Sequence, residues 1–330
     1  MGHSQPWDAI IIGGGIAGLS AAIYLARAKR STLVIDDGKS LAQWEPDVQN
    51  YLGFPKGIAG EELLARGREH ASHYGAEFAE EYIEELQRTT ANIFHAGGRR
   101  EPYEARRVLL ATGIFHLPPD IPGVAECLGH SMFFCKDCDG VRCEGKRVGI
   151  FGWNNEAVEY ALGMLLYSPC VFIFSNGHEL RWDEQHAQWL REYEIPIYTE
   201  KVIGVHHRCG DMQWLELDSE VRVELDALFT ARGDIYHNKL ARQVGAETKD
   251  CEVLVNECME TTERGLYAAG CVTPANCQMI IAAGQGATAA QAINRSLFEE
   301  SLQTHSLHRY RARQLEHCET EPPVEPATTA

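Results

Sequence analysis

The sequence predicts an α/β protein built from two strand–turn–helix units of the kind that bind nucleotides, and three observations carry that expectation. The run Asp8-Ala-Ile-Ile-Ile12 leads into Gly13-Gly-Gly-Ile-Ala-Gly18 and then into Leu19–Arg27, with apolar residues at helical spacing. A second run, Arg147-Val-Gly-Ile-Phe151, leads into Gly152-Trp-Asn-Asn-Glu-Ala157 and a helical stretch from Val158 to Leu166. Between the two stands Phe134-Cys135-Lys-Asp-Cys138-Asp-Gly140, a C-x-x-C pair of thiols.

The first unit is the more complete. Gly13 permits a tight turn, Gly15 lets the backbone approach a pyrophosphate, and Gly18 lets the helix pack closely on the strand. The helix N-terminus, with Ile16 and Ala17 in its first turn, then faces the phosphates. The next strand, Thr32-Leu-Val-Ile35, ends at Asp36, where a carboxylate accepts from a ribose hydroxyl, and Asp37 follows it. The alternative is a glycine turn that only packs helix on sheet.

The C-x-x-C spacing suits a disulfide that opens and closes during turnover, and one thiol must be a thiolate to attack. Lys136 is placed to lower a neighbouring thiol pKa. Asp137 and Asp139 raise it and can relay protons, so local charge leaves the attacking cysteine undecided. Zinc is the alternative, because Cys127, Cys135, Cys138 and Cys143 share one segment. Paired knuckles ordinarily supply both halves of such a site, whereas Cys127 and Cys143 stand alone. No metal is therefore expected, and His3 and His317 have no metal-ligand spacing. Of eleven cysteines in a chain too long to need a disulfide framework, most are expected as buried thiols.

With 330 residues and 45% hydrophobic composition, the chain can bury a core in each of two domains, which excludes a disordered chain. Apolar runs such as Ala9–Ile12 and Val171–Phe174 fall far short of the ~20 residues of a membrane helix, and no basic-then-apolar leader opens the chain. The expectation is a cytoplasmic protein. Forty-seven acidic against thirty basic residues give a net charge of −17, which disfavours nucleic acid and membrane as partners.

These motifs, in this order, resemble the thioredoxin reductase family over almost the whole chain. The resemblance implies two Rossmann-like, doubly wound domains, the second (118–242) inserted in a discontinuous FAD domain (1–117 and 243–330), and a homodimer. It implies FAD on the Gly13–Gly18 turn, Asp36 and Asp37. Trp44, and Asn50 in Asn50-Tyr-Leu-Gly-Phe-Pro55, then approach the isoalloxazine, and Leu110-Ala111-Thr112-Gly113 marks where the chain leaves the FAD domain. Gly265-Leu-Tyr-Ala-Ala-Gly270, with Cys271, Gln278 and Met279, resembles the return segment over the flavin. By the same resemblance Cys135 attacks a partner disulfide, Cys138 faces the flavin and Asp139 relays protons. The partner is then a disulfide or dithiol, protein or small molecule, with thioredoxin among the candidates.

Two places depart from the family. Cys271 stands where the family has aspartate. One lost hydrogen bond is worth about 0.5–1.5 kcal/mol, small against a buried cofactor interface, so FAD is still expected. Cys271 is read as a small residue in a tight turn, with a redox or covalent role as the alternative.

The second turn departs further. It keeps Gly152 and Ala157 of the family's NADPH pattern, but Asn154 replaces the close-approach glycine and bulky Trp153 precedes it. The following strand, Cys170–Phe174, runs into Ser175-Asn176-Gly177 instead of a histidine and two arginines. No cation meets a 2′-phosphate there and no carboxylate meets a ribose, so NADPH is not expected as the donor. The favoured reading is a second FAD, two per chain, with Trp153 and Trp182 stacking on its ring and Asn154, Asn155, Ser175 and Asn176 along its polar part. This is similar to the diflavin-linked disulfide oxidoreductases of cyanobacteria.

The alternatives are a protein donor such as ferredoxin, docking on Arg99-Arg100 or Arg106-Arg107, and a dithiol oxidase that passes electrons to oxygen. From a different class comes a non-enzymatic flavin sensor. Trp182, Gln185, Trp189 and Leu190 share helical spacing and are read first as core. Residues 61–85 read as a helix and a strand, and Thr288–Phe298 as the last helix. A basic stretch, Arg309–Arg313, follows, and 319–330 is expected to be disordered.

Overall fold

The computed structural model describes residues 5–100, 102–308, 311, 312 and 315; the expectations for the 309–313 stretch, His317 and the 319–330 tail fall wholly or mainly outside them. The chain opens with β1 (Trp7–Ile12), buried throughout, then α1 (Ile16–Arg27), β2 (Thr32–Asp36), α2 (Gly60–His73), β3 (Glu77–Glu80), β4 (Glu85–Arg88), β5 (Phe94–Gly97) and β6 (Tyr103–Leu110). Strands β3, β2, β1 and β6 lie parallel in that order, and β5 and β4 continue the sheet antiparallel. Two apolar clusters cover its faces: one holds Ile10, Leu33, Phe94 and Leu266, the other Ile11, Leu25, Val34 and Ile293.

The chain leaves this sheet through β7 (Ile114–His116) and enters a second one. There follow β8 (Met132–Phe133), α3 (Lys136–Asp139), β9 (Arg147–Phe151), α4 (Asn155–Met164), β10 (Cys170–Phe174), α5 (Glu184–Glu192) and β11 (Ile197–Tyr198). Strands β12 (Val202–Arg208), β13 (Asp211–Leu217) and β14 (Arg222–Glu224) form a small antiparallel sheet before β15 (Ala227–Thr230). The second sheet is all parallel, in the order β11-β10-β9-β15-β8. Strand β16 (Asp234–Tyr236) pairs antiparallel with β7, so the outgoing and returning chain form one ribbon.

After α6 (Lys239–Gln243) and the hairpin β17 (Thr248–Lys249) and β18 (Glu252–Val253), β19 (Leu266–Ala268) adds to the first sheet parallel to β6. The final helix, α7, spans Met279–Gln303, well beyond the expected Thr288–Phe298. Its first half, rich in alanine and glycine, carries little apolar periodicity because it packs backbone to backbone. A Cβ on Gly286 would lie 2.0 Å from the Ala17 carbonyl oxygen in α1.

Trp182 precedes α5 rather than lying on it, and packs half-buried against the second sheet's core, which Leu190 joins. Arg106 and Arg107 are not a free dock. Arg106 pairs with Asp8 and Glu300, and Arg107 with Glu300 and Ser296. Among the described residues no helix is long and apolar enough to cross a membrane, and no cluster of metal-ligating side chains forms.

Candidate active site

A cleft of about 790 Å³ runs from the first glycine turn to the C-x-x-C pair. At one end Gly13 holds φ +109°, and a Cβ there would sit 2.2 Å from the Ala111 carbonyl oxygen, so only glycine fits. Gly18 does not line the cleft. Its missing Cβ, which would meet the Gly13 carbonyl oxygen at 1.9 Å, lets α1 close on the turn. Gly15 caps α1 in extended conformation with no side-chain acceptor, so the helix N-terminus, whose Ile16 and Ala17 line the cleft, has no side-chain cap. Asp36 accepts from Gly14 N–H at 2.5 Å and from Gly38 N–H at 2.9 Å. It fixes the turn as well as lining the cleft, beside Asp37.

At the other end Cys135 and Cys138 form a disulfide. Cys135 is the N-cap of α3, and its Sγ accepts from the Cys138 N–H at 3.1 Å. Gln278 Nε2 lies 3.4 Å from Cys135 Sγ and 3.3 Å from Cys138 Sγ, while its Oε1 accepts from Asn50 Nδ2 at 3.0 Å. An amide chain thus ties the Asn50 loop and the return segment to both sulfurs. The cleft walls also include Trp44, Ala111, Thr112, Gly113, Gly270, Cys271 and Met279. The first-unit candidates other than Gly18 converge here although they run from Gly13 to Met279, because β1, β2, β6 and β19 are parallel and end at the same edge of the sheet.

Lys136 does not serve the thiols as expected. Its Nζ is bonded to Asp137 at 2.9 Å, and its chain packs against Gly163 and Tyr160. Asp139 is buried and held by Arg142 at 2.8 Å; burial pushes its pKa up, and the guanidinium opposes that. Glu45, which the sequence reading missed, lines the cleft nearby. Burial, reinforced by the Asp139 charge, raises it from the ordinary 4.5 to about 7, against Arg142 and His116. Nothing in the sequence around Glu45 signals this, since its neighbours arrive through tertiary packing.

Cys271 is not merely a small residue in a turn. It forms a disulfide with Cys277, and both line the cleft. The expectation of mostly buried free thiols also fails. Among the described residues four cysteines are in these two disulfides, Cys127 and Cys143 are buried and free, and Cys170, Cys209, Cys251 and Cys258 are exposed.

The second-unit candidates have protein partners of their own. Asn154 caps α4, its side chain accepting from Ala157 N–H at 3.1 Å. Asn155 exchanges hydrogen bonds with Asp183, both at 3.0 Å. Asn176 accepts from Val202 N–H at 2.8 Å, and the Trp153 ring stacks on His178 at 3.8 Å. Gly152 is buried against Ala157 and Ala231. The Ser175 hydroxyl is buried without a hydrogen-bond partner.

The model of the pyridine nucleotide-disulphide oxidoreductase family matches residues 7–293. The chain belongs to this family. Within it, the thioredoxin reductase of Bacillus subtilis (strain 168) is 30% identical over 318 residues, covering 92% of this chain and 99% of that protein. The crystal structure of HlmI superposes with a TM-score of 0.86 at 28% identity, covering 96% of this chain and 99% of the other. The atypical thioredoxin reductase TRi from Desulfovibrio vulgaris Hildenborough is 31% identical with a TM-score of 0.52, over 90% and 99%.

The chain is thus a thioredoxin reductase-like flavin disulfide oxidoreductase with the Rossmann-like sheets of that family. The family implies FAD, and the cleft fits it. The Gly13 and Gly15 turn offers the close backbone approach and open helix N-terminus that a pyrophosphate needs, and the cleft reaches from there to a disulfide.

Proposed function

We propose that this enzyme exchanges electrons with a partner disulfide or dithiol through Cys135–Cys138, with thioredoxin the first candidate, and that NADPH is not its donor. The carrying observation is that Cys135–Cys138 shares one cleft with the uncapped glycine turn, both sulfurs within 3.4 Å of Gln278 Nε2. FAD bound there supplies a two-electron partner for the disulfide. Cys138 is the sulfur turned to the cofactor, Cys135 takes part in exchange with the partner, and Asp139 with Glu45 holds the protons that exchange moves. Exclusion of NADPH is supported by Asn154, whose side chain takes up the Ala157 N–H at the helix N-terminus, and by Ser175-Asn176-Gly177, which carries no cation of its own.

A second flavin in the second unit is favoured by the half-buried Trp153, stacked on exposed His178 beside the turn, together with the unpartnered Ser175 hydroxyl. We further propose a homodimer, and a division into 1–117 with 243–330 and 118–242, which the β7–β16 ribbon supports.

The test is anaerobic flavin bleaching together with flavin counting. Dithiols should bleach the flavin and micromolar NADPH should not. Rapid stoichiometric bleaching by NADPH overturns the donor assignment. A ratio near two FAD per chain supports the second flavin, and a ratio near one after supply of excess FAD removes it.

A further inference from the structure

We infer that Cys271–Cys277 is a second redox-active disulfide, which exchanges two electrons with the Cys135–Cys138 pair. The inference rests on the proposed role of that pair and adds a store for its electrons. Among the described residues the chain has two disulfides, and both line the same cleft. The six other described cysteines are free, two of them buried. A chain stapled for stability would distribute its bridges over the fold; here they coincide with the redox site.

The second bridge is also joined to the first through the chain itself. Cys277 immediately precedes Gln278, whose amide nitrogen contacts Cys135 Sγ at 3.4 Å and Cys138 Sγ at 3.3 Å. Cys271 and Cys277 are both half-buried, accessible from the cleft rather than sealed in the core. The backbone between them is anchored from one side. Gly270 N–H donates to Gln285 Oε1 at 2.8 Å, and Thr273 Oγ1 donates to the Gly270 carbonyl at 2.8 Å. Pro274 and Asn276, farther along, are exposed. The exchange requires the loop tip to move toward the C-x-x-C pair about the fixed Gly270 turn.

The step balances as thiol–disulfide exchange. With Cys135 and Cys138 reduced, a thiolate of that pair attacks a sulfur of Cys271–Cys277. One S–S bond breaks as a mixed disulfide forms. The other thiol of the pair resolves it, re-forming Cys135–Cys138 and leaving Cys271 and Cys277 as thiols. Two electrons and two protons pass from one pair to the other, and no external oxidant is consumed.

Differential alkylation with mass spectrometry on the FAD-loaded wild-type enzyme tests this without relying on activity. Under anaerobic stepwise reduction with dithiothreitol, the peptide carrying Cys271 and Cys277 should gain two labels in the same steps as Cys135 and Cys138. The two midpoints should agree within about 30 mV, a tenfold difference in equilibrium constant. In a Cys135→Ser/Cys138→Ser variant, labelling of Cys271 and Cys277 should slow at least tenfold. A Cys271–Cys277 bridge that stays closed while Cys135–Cys138 is fully reduced overturns the inference, as does an unchanged labelling rate in the double variant. If Cys135 and Cys138 themselves take no label, the proposed function fails first. As a second measure, Cys271→Ser/Cys277→Ser should lower the electrons accepted per chain by two in a dithionite titration, and an unchanged count sinks the proposal.

Discussion

The two strand–turn–helix units share a frame and differ in how the helix N-terminus is capped. In the first, Gly15 caps α1 without a side chain, so the N–H groups that begin the helix are open to a ligand. In the second, Asn154 turns its own carboxamide oxygen onto Ala157 N–H, satisfying one of the free N–H groups internally. Both units keep small residues where helix meets strand, Gly13 with Gly18 and Gly152 with Ala157. Packing therefore preserves the frame in both, while ligand binding depends on leaving the helix N-terminus unsatisfied. Retention of the frame is weak evidence for retention of the ligand.

The largest expected effect tests what the open turn serves. Cys138→Ser should slow dithiol-dependent flavin reduction at least about a thousandfold while the protein stays yellow, because the cradle is untouched. Anaerobic absorbance would follow it, and reduction at the wild-type rate removes Cys138 from the redox pair.

The next contrast sets the two glycines against each other. Gly13→Ala forces a Cβ to 2.2 Å from the Ala111 carbonyl oxygen at φ +109°, so it should cost more than about 3 kcal/mol and release the flavin. Gly152→Ala meets the Ala157 methyl at 2.8 Å and should cost about 1–3 kcal/mol with the flavin of the first cleft retained. Thermal melts with flavin fluorescence compare them, and equal losses of flavin would erase the distinction between the turns.

A smaller effect follows from Glu45. Its pKa is raised in the folded chain to about 7 from an ordinary 4.5, so the folded state binds a proton that the unfolded chain has released. Stability from this group is full below about pH 4.5, falls as the pH rises through 7, and is then lost. Glu45→Gln should therefore flatten the melting temperature between those values and raise it relative to wild type at pH 8. Parallel pH profiles of the two proteins would place the proton elsewhere.

The smallest effect probes the closed turn itself. Asn154→Ala should destabilise by about 1 kcal/mol, and Asn154→Gly by only a few tenths, since glycine is tolerated at a cap. Asn154→Gly also frees the Ala157 N–H, yet with no cation in Ser175-Asn176-Gly177 itself it should leave NADPH a slow reductant, although Lys201 packs on Gly177. Fast bleaching by NADPH in this variant would show that the cap alone had closed the site.

How much was legible in the sequence depended on the range of the interactions. The glycine turn, the strands Arg147–Phe151 and Cys170–Phe174 and the C-x-x-C motif are local patterns, set by φ, by periodicity and by spacing of neighbours. The reach of α7 back to Met279 was hidden because a helix packed on α1 through glycine and alanine carries no apolar stripe.

By itself the sequence determined an α/β chain with one open nucleotide turn, one altered turn and a reactive cysteine pair, because each is written within some twenty neighbouring residues. Only the tertiary structure decided that Gln278 bridges Asn50 and both sulfurs, that Cys271 pairs with Cys277, and that Lys136 belongs to Asp137 rather than to a thiol. It also decided the state of Glu45, whose raised pKa comes from burial and from Asp139, ninety-four positions away. Burial and the pairing of charges depend on which distant segments pack together, and a single sequence does not display that adjacency.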